Sequence, residues 1–595
     1  MRLLLLGDTG LEPGFSAWES SLRRAGVPFD AVAARGEHGP VYVQSRAGNL
    51  RYHGLILTDP GLCRAVLDSR QHAILLAAER ELGLRLLETY AYPSPRCGLQ
   101  TPAWAGDLAG VTATLTDSGR NLFPYLRGSV PITAGSWGYL STPALDGSFE
   151  ALLLGPDDSS LLGIHTDRHG CERMIQTFDC NRDQLHGRLL RHGQLAWLTR
   201  GAYLGHQRNY LSVHIDDVLL PNRGWDRSGD PAGASAGSEP ATLRMSSADA
   251  ARTARWSRRR KIRLDLVFNG AGSEEFARVS DIGQDPLLEA LLACRETFGW
   301  INHTYRHLNL DEAPRAAIEA EIECNLAWAA RNGIELEPDV LVTGEHTGLA
   351  NLTASPPRRE NPHLAVALRA KRIRFVGCDA SRPYPRAGAG LGSRPLMPGT
   401  PFMIGGVLAV PRHPTVLAYD AATRDQLLDR LRVAGATLVG SWPDVATAEA
   451  TRIVAGVLGN DPLPHYFHQS NLIARTDDRQ AGGTSLLCSL LDQTLDLYES
   501  LISASMPVVQ PSMSEVGRHL LRVQRWRRVC ASGKVHGYLD NSTVSIINMT
   551  GRRVEVPLTG VVAGEDYAGN RSGWLTVSPG TTLFERLPPD VRPRS

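Results

Sequence analysis

YLSVHIDDVLLPNRGWD, residues 210–226, begins as an apolar strand and then sets Asp216 and Asp217 side by side where that strand should end. Adjacent carboxylates repel, and burying either one is costly unless it is paired or metal-bound. Their partners must come from elsewhere in the chain, and the pattern that follows shows from where.

From residue 262 onward strand-like and helix-like segments alternate. IRLDLVFNG and FGWINHT read as strands, DEAPRAAIEAEIECNLAWAARNG as a helix, DVLVTGEH as a strand and LAVALRAKR as a helix. IRFVGCD and GVLAVPRH read as strands, TRDQLLDRLRVAG as a helix, and ATLVGSW and LPHYFHQSN complete the series. Repeated βα units of this kind predict a parallel barrel, placed here at 206–500. Such barrels carry their chemistry at the carboxyl ends of the strands. The polar clusters HIDD, NHTYRH, GEHTG, CDASRP, PRHP and FHQSN all fall there.

The flanks read differently. Residues 1–105 alternate strand and helix (RLLLLGD, FSAWESSLRRAG, FDAVAA, HGLILTD, then a long helix RQHAILLAAERELGLRLLETY), which predicts a small Rossmann-like α/β domain. Its first turn, GDTGLEPG, is not the GxGxxG of a dinucleotide site. Residues 106–205 hold short β-prone runs such as GVTATLTD, FEALLLG and SLLGIHTD, which predict a β-sandwich of the kind that can serve in carbohydrate binding or as a spacer. RSGDPAGASAGSEPATLR (227–244) reads as a solvated loop, SSADAARTARWSRRRK as a serine-capped helix, and residues 530–595 as a C-terminal β-sandwich packed on the barrel.

The 63 basic and 62 acidic residues nearly cancel, so no net field draws the chain to nucleic acid or an anionic membrane. The basic run RWSRRRK sits at a helix end, where the dipole favours cations. Nine scattered cysteines with no CxxC argue for free thiols, with Cys171–Cys180 the one bridge open to an oxidising compartment. The apolar start MRLLLLGDTG holds only four leucines before Gly7, too few for a signal-peptide core, and no window has the ~20 apolar residues of a membrane span. The chain reads as soluble and without an export signal.

NHTYRHLNL places His303 and His307 four residues apart, a spacing that on a helix or its first turn puts both imidazoles on one face. Two histidines and one carboxylate form a standard metal set with open positions for water and substrate. One of the paired acids can then bind a cation, and the other can stay ionised beside it.

These residues resemble a known family. HIDDV is similar to the first motif of the NodB-type polysaccharide deacetylases, usually written TFDD. HTYRH matches their second motif, H-[ST]-x-x-H, and YFHQSN is similar to the late motif that supplies a catalytic histidine. The set HIDDVLLPNRGWD, NHTYRHLNL, GEHTGL, DASRP, VPRHPT and FHQSNL resembles carbohydrate esterase family 18 most closely, over roughly residues 205–500.

The resemblance implies a distorted (β/α) barrel and metal-dependent removal of N-acetyl groups from a polysaccharide, N-acetylgalactosamine being the expected sugar. Asp217, His303 and His307 would hold the metal (Zn²⁺, with Co²⁺ or Ni²⁺ as alternatives), Asp216 would be the general base, and His468 the general acid, with His465 its rival. Arg382 and Arg412 are rival candidates for orienting Asp216, and Asp379 and His346 are candidates to touch substrate. The family's site of action, outside the cell or on its surface, conflicts with the missing export signal. HIDD departs from TFDD, and His214 is given no role. Three other readings remain: an Fe(II) oxygenase on the same donors, a glycan-binding or cell-surface protein that has kept the fold without catalysis, and a deacetylase of a different N-acetylated sugar or small molecule.

Overall fold

The computed structural model describes residues 1–586 apart from 46–47, 60, 226–241, 386–394, 398, 437–439, 475–482, 541–542 and 562. Most of the loop expected at 227–244 and the middle of the strand expected in ATLVGSW (437–439) lie outside the described residues, and Trp442 at its end begins a helix.

The barrel is present. Strands Val213–Val218, Leu264–Phe268, Gly299–Asn302, Val340–Val342, Phe375–Asp379 and Val407–Arg412 follow one another in parallel, and His465–His468 pairs with the first of them. The two ends of this sheet meet again at one point. His413 N–H donates to the Pro464 carbonyl (2.7 Å) and Tyr466 N–H to the His413 carbonyl (3.0 Å). Phe402–Ile404 adds a single antiparallel edge strand.

Alternation along each strand divides two cores. Val267, Ile301, Val342, Phe375 and Val410 join Met513 and Val516 of helix Met513–Ala531 inside the barrel. Leu341, Val376 and Ala409 pack outward on Ile318, Ile322, Leu364 and Leu368 of helices Arg315–Arg331 and Pro362–Ala370. Gly517 lets that first helix close on the barrel, since a Cβ there would stand 2.2 Å from the Phe375 ring. Parallel strands aim every carboxyl end at the same mouth.

The flanks differ from expectation. Residues 1–105 and 106–205 do not form separate sheets. Leu3–Gly7, Phe29–Ala33, Gly54–Leu57 and Leu86–Glu88 are parallel, and Glu172–Gln176 pairs in parallel with Leu86–Glu88. Ser160–Thr166, Phe149–Leu154, Thr112–Leu115 and Ser129–Pro131 then continue the same sheet antiparallel, giving nine strands. Short β runs look alike whether they face a second sheet or extend an existing one, so the pattern predicted a sandwich.

The long helix expected after residue 70 is Ser69–Glu81 followed by the strand Leu86–Glu88, because Gly83 (φ 61°) turns the chain between them. The C-terminal region is two sheets, one of which borrows Tyr203–Leu204 from before the barrel. Among the described residues all nine cysteines are free, Cys171 and Cys180 included, and no helix is long and apolar enough to cross a membrane.

Helix Leu185–Leu198 is buried almost all round, and it carries a test of the packing. His186 is fully buried, its Nδ1 accepting the Thr133 N–H at 3.2 Å, and burial pushes its pKa down to about 4. A histidine that resists protonation in the fold but not in the unfolded chain makes the unfolded state the better proton acceptor between pH ~6.5 and about 4. Stability should therefore fall with pH over that window, by about 1.4 kcal/mol per unit from this residue. In urea unfolding at several pH values, His186→Asn should show a slope shallower by that amount.

Candidate active site

The first barrel strand resolves the puzzle of the paired acids. Adjacent strand residues point to opposite faces, so only one of Asp216 and Asp217 should face the barrel mouth. The pairing with Leu264–Phe268 slips between Ile215 and Val218, and Asp217 takes φ 62°. This bulge turns both carboxylates toward the site. Leu219, Thr304, His307, Glu345 and His346 share the positive φ, so the strained backbone gathers at the strand ends.

Asp217 meets the two histidines. Its Oδ1 lies 3.4 Å from His303 Nε2 and 3.3 Å from His307 Nε2, and the three donors lie within 4.8 Å of one another. His303 Nδ1 sits 2.9 Å from the Val342 carbonyl, which makes it the protonated nitrogen and leaves Nε2 a free lone pair. Donors about 2.1 Å from a tetrahedral ion stand about 3.4 Å apart, so this set of two nitrogens and one oxygen fits a zinc-like ion. The histidine spacing does not act through a helix, as the sequence implied. His303 directly follows Gly299–Asn302, and His307 reaches the site through a turn opened by positive φ at Thr304.

A second layer holds the carboxylate. Asn222 Nδ2 donates to Asp217 Oδ2 at 2.8 Å. Gln469 Nε2 donates to Asn222 Oδ1 and to the Leu243 carbonyl, and Gln469 Oε1 accepts the Met245 N–H at 2.7 Å. Sequence reading passed over both residues, although both sit in stretches quoted for other reasons. Partners of this kind tune a ligand's direction and basicity. Asn222→Ala should weaken divalent-metal affinity 10–100-fold, measured by competition with a chromogenic chelator, while leaving the fold intact.

Asp216 is held by Arg412. Two parallel bonds, 2.7 Å to Oδ1 and 2.8 Å to Oδ2, join a pair that is almost wholly buried. Burial pushes the Asp216 carboxyl up, but the Arg412 charge and its hydrogen bonds outweigh it and hold it well below the usual carboxylate range. Arg412 continues the inward parity of Leu408 and Val410 to the top of its strand, stacks on the Tyr466 ring at 4.6 Å and donates to His346 Nε2 at 2.8 Å.

The rivals are thereby separated. Arg382 instead bonds Asp379 (3.2 Å) and the Glu345 carbonyl (3.4 Å). His346, 5% exposed, lies behind Arg412, and burial and that arginine hold its pKa well below the usual value. Asp379, 6% exposed, accepts from Ser381 and Tyr466. His346 and Asp379, the residues expected to touch substrate, are thus bonded to Arg412 and Tyr466 respectively.

His468 ends its strand directly opposite Asp216 in the pairing register, at the mouth. His465 starts the same strand, fully buried beside His413, with ring centroids 5.1 Å apart. Among the described residues His468 Nδ1 has no hydrogen-bond partner, and Tyr419, half exposed, lies 5.8 Å from its ring. His214 is buried below the site, its Nε2 3.7 Å from Asp265. The mouth thus assembles a three-donor cation site, a fixed carboxylate and an imidazole, which together can activate water, take a proton and give one.

Residues 280–509 match the family described as the Agd3 deacetylase domain. The structure reported as Agd3, a novel carbohydrate deacetylase, superposes with a TM-score of 0.81 at 20% identity over 98% of each chain. A family 4 carbohydrate esterase from Streptomyces lividans, solved with acetate, shows 10% identity over 51% of this chain and all of its own, with a TM-score of 0.24. No protein with a curated description matches. The resemblance drawn from the motifs is borne out at the level of domain and fold: residues 280–509 match a deacetylase-domain family, and the chain shares the fold of a carbohydrate deacetylase.

Proposed function

We propose that this enzyme, a polysaccharide deacetylase by its domain and fold, removes N-acetyl groups from N-acetylhexosamine units, N-acetylgalactosamine foremost, with a divalent metal held by Asp217, His303 and His307. The observation that carries the reading is the joint placement of that donor set and the Arg412-clamped Asp216 at one barrel mouth. A bound divalent ion supplies a Lewis acid that polarises an amide carbonyl and acidifies a water.

The chain's own groups do the rest. Asp216 stays ionised across the neutral range, and Arg412 fixes the plane of its carboxylate, so it is ready to accept a proton from the attacking water. A carboxylate held so strongly by arginine is a weak base, which suits a water already made acidic. The amine of the sugar leaves only when protonated, and His468, facing Asp216 across the strand pair, is placed to give that proton. The donor set on a parallel barrel, with Asp216 and His468 opposite each other in the strand register, favours deacetylation over the non-catalytic and oxygenase readings. Chain-length-matched oligomers of N-acetylgalactosamine and N-acetylglucosamine test the sugar. The proposal expects a higher kcat/KM for acetate release from the first, and equal or reversed values overturn that part of it.

A further inference from the structure

Away from the barrel mouth, a narrow cavity of about 30 Å³ separates helix Pro13–Ala25, helix Leu185–Leu198 and the carboxyl end of helix Trp442–Leu458. Its walls include Arg24, Arg182, Arg188 and Arg191, with Ser20 and Ser21. The space suits a group the size of two or three waters.

The charges there do not balance. Arg191 is only 6% exposed, and its bonds go to neutral atoms: Ser21 Oγ at 3.2 Å and Cys180 Sγ at 3.5 Å. Its Nε is buried with no hydrogen-bond partner among the described residues. Arg188 gives its bonds to the carbonyls of Arg182 and Ala455, and its nearest carboxylate, the exposed Asp183, stands 3.9 Å off. Burial, with Arg24 and Arg191 nearby, pushes the Arg188 pKa down to about 10. Among the described residues one buried carboxylate serves the group, Asp461, and it is already shared between Arg24 (2.8 Å) and His413 (3.2 Å). A buried cation without a counter-charge is costly, and guanidinium is the group that best matches planar and tetrahedral oxyanions.

We propose that this cavity binds a small oxyanion, a phosphate or a carboxylate, which neutralises Arg191 and Arg188 and fastens the N-terminal sheet's helices to the barrel. The site abuts the closure of the barrel, because Asp461 holds His413, the residue after Arg412 that pairs with Pro464 and Tyr466.

The test is thermal unfolding of the full chain in rising inorganic phosphate and, separately, in sodium acetate, against chloride at matched ionic strength. One of the two oxyanions should raise the midpoint in a saturable way that chloride does not reproduce. Arg191→Met should lose that response without losing stability in chloride, because it removes the uncompensated charge. His303→Ala should keep the response, which separates this cavity from the metal centre. Should Arg191→Met not fold, Arg24→Gln and Arg182→Gln take its place, with an expected weakening of the fitted dissociation constant of tenfold or more. The proposal is overturned by no saturable response to either oxyanion, by a wild-type response in Arg191→Met, by its loss in His303→Ala, or by unchanged binding in both rim variants.

Discussion

Asp216→Asn should lower kcat for acetate release by about 10²–10⁴-fold while the protein keeps its metal. The amide has nearly the shape of the acid but cannot take a proton from water. Metal should be retained because the proposed ligand is Asp217, whose contacts to His303, His307 and Asn222 do not pass through Asp216. The same substitution strips the counter-charge from Arg412, which is 0% exposed, so it should also cost about 3–5 kcal/mol of stability. The double variant Asp216→Asn/Arg412→Met separates the two effects. Removing both partners should recover much of the stability and none of the activity. A single variant within tenfold of wild-type activity would show that another group is the base.

His303→Ala should abolish both metal binding and turnover. It deletes one of three donors and leaves the Val342 carbonyl without the imidazole that it positioned. The loss in metal affinity should exceed the 10–100-fold that removal of an outer partner such as Asn222 costs. Metal content after dialysis and acetate release give the two readings. A fully metallated, active His303→Ala protein would remove this triad from the account.

The barrel was legible because parallel strands buried on both faces are near-continuous apolar runs, and polar clusters punctuated each carboxyl end. The donors were legible because HIDD and HTYRH keep their chemistry within a few residues. What joins Arg412 to Asp216 is not local. The two lie 196 residues apart, and the choice between Arg412 and Arg382 depended on inward parity along one strand. The bulge that turns Asp217 inward, and the turn that carries His307, are backbone choices that residue spacing does not encode. The same limit hid the continuity of the N-terminal sheet, since nothing near residue 105 reveals that Glu172–Gln176 will pair with Leu86–Glu88.

The most direct measurement is acetate release from an N-acetylgalactosamine oligomer by the purified chain before chelation, after chelation, and after addition of Zn²⁺ or Co²⁺. Activity that disappears with the chelator and returns with the ion, in wild type but not in His303→Ala, is the predicted result. Release that is indifferent to the chelator would contradict the metal-dependent account at its centre.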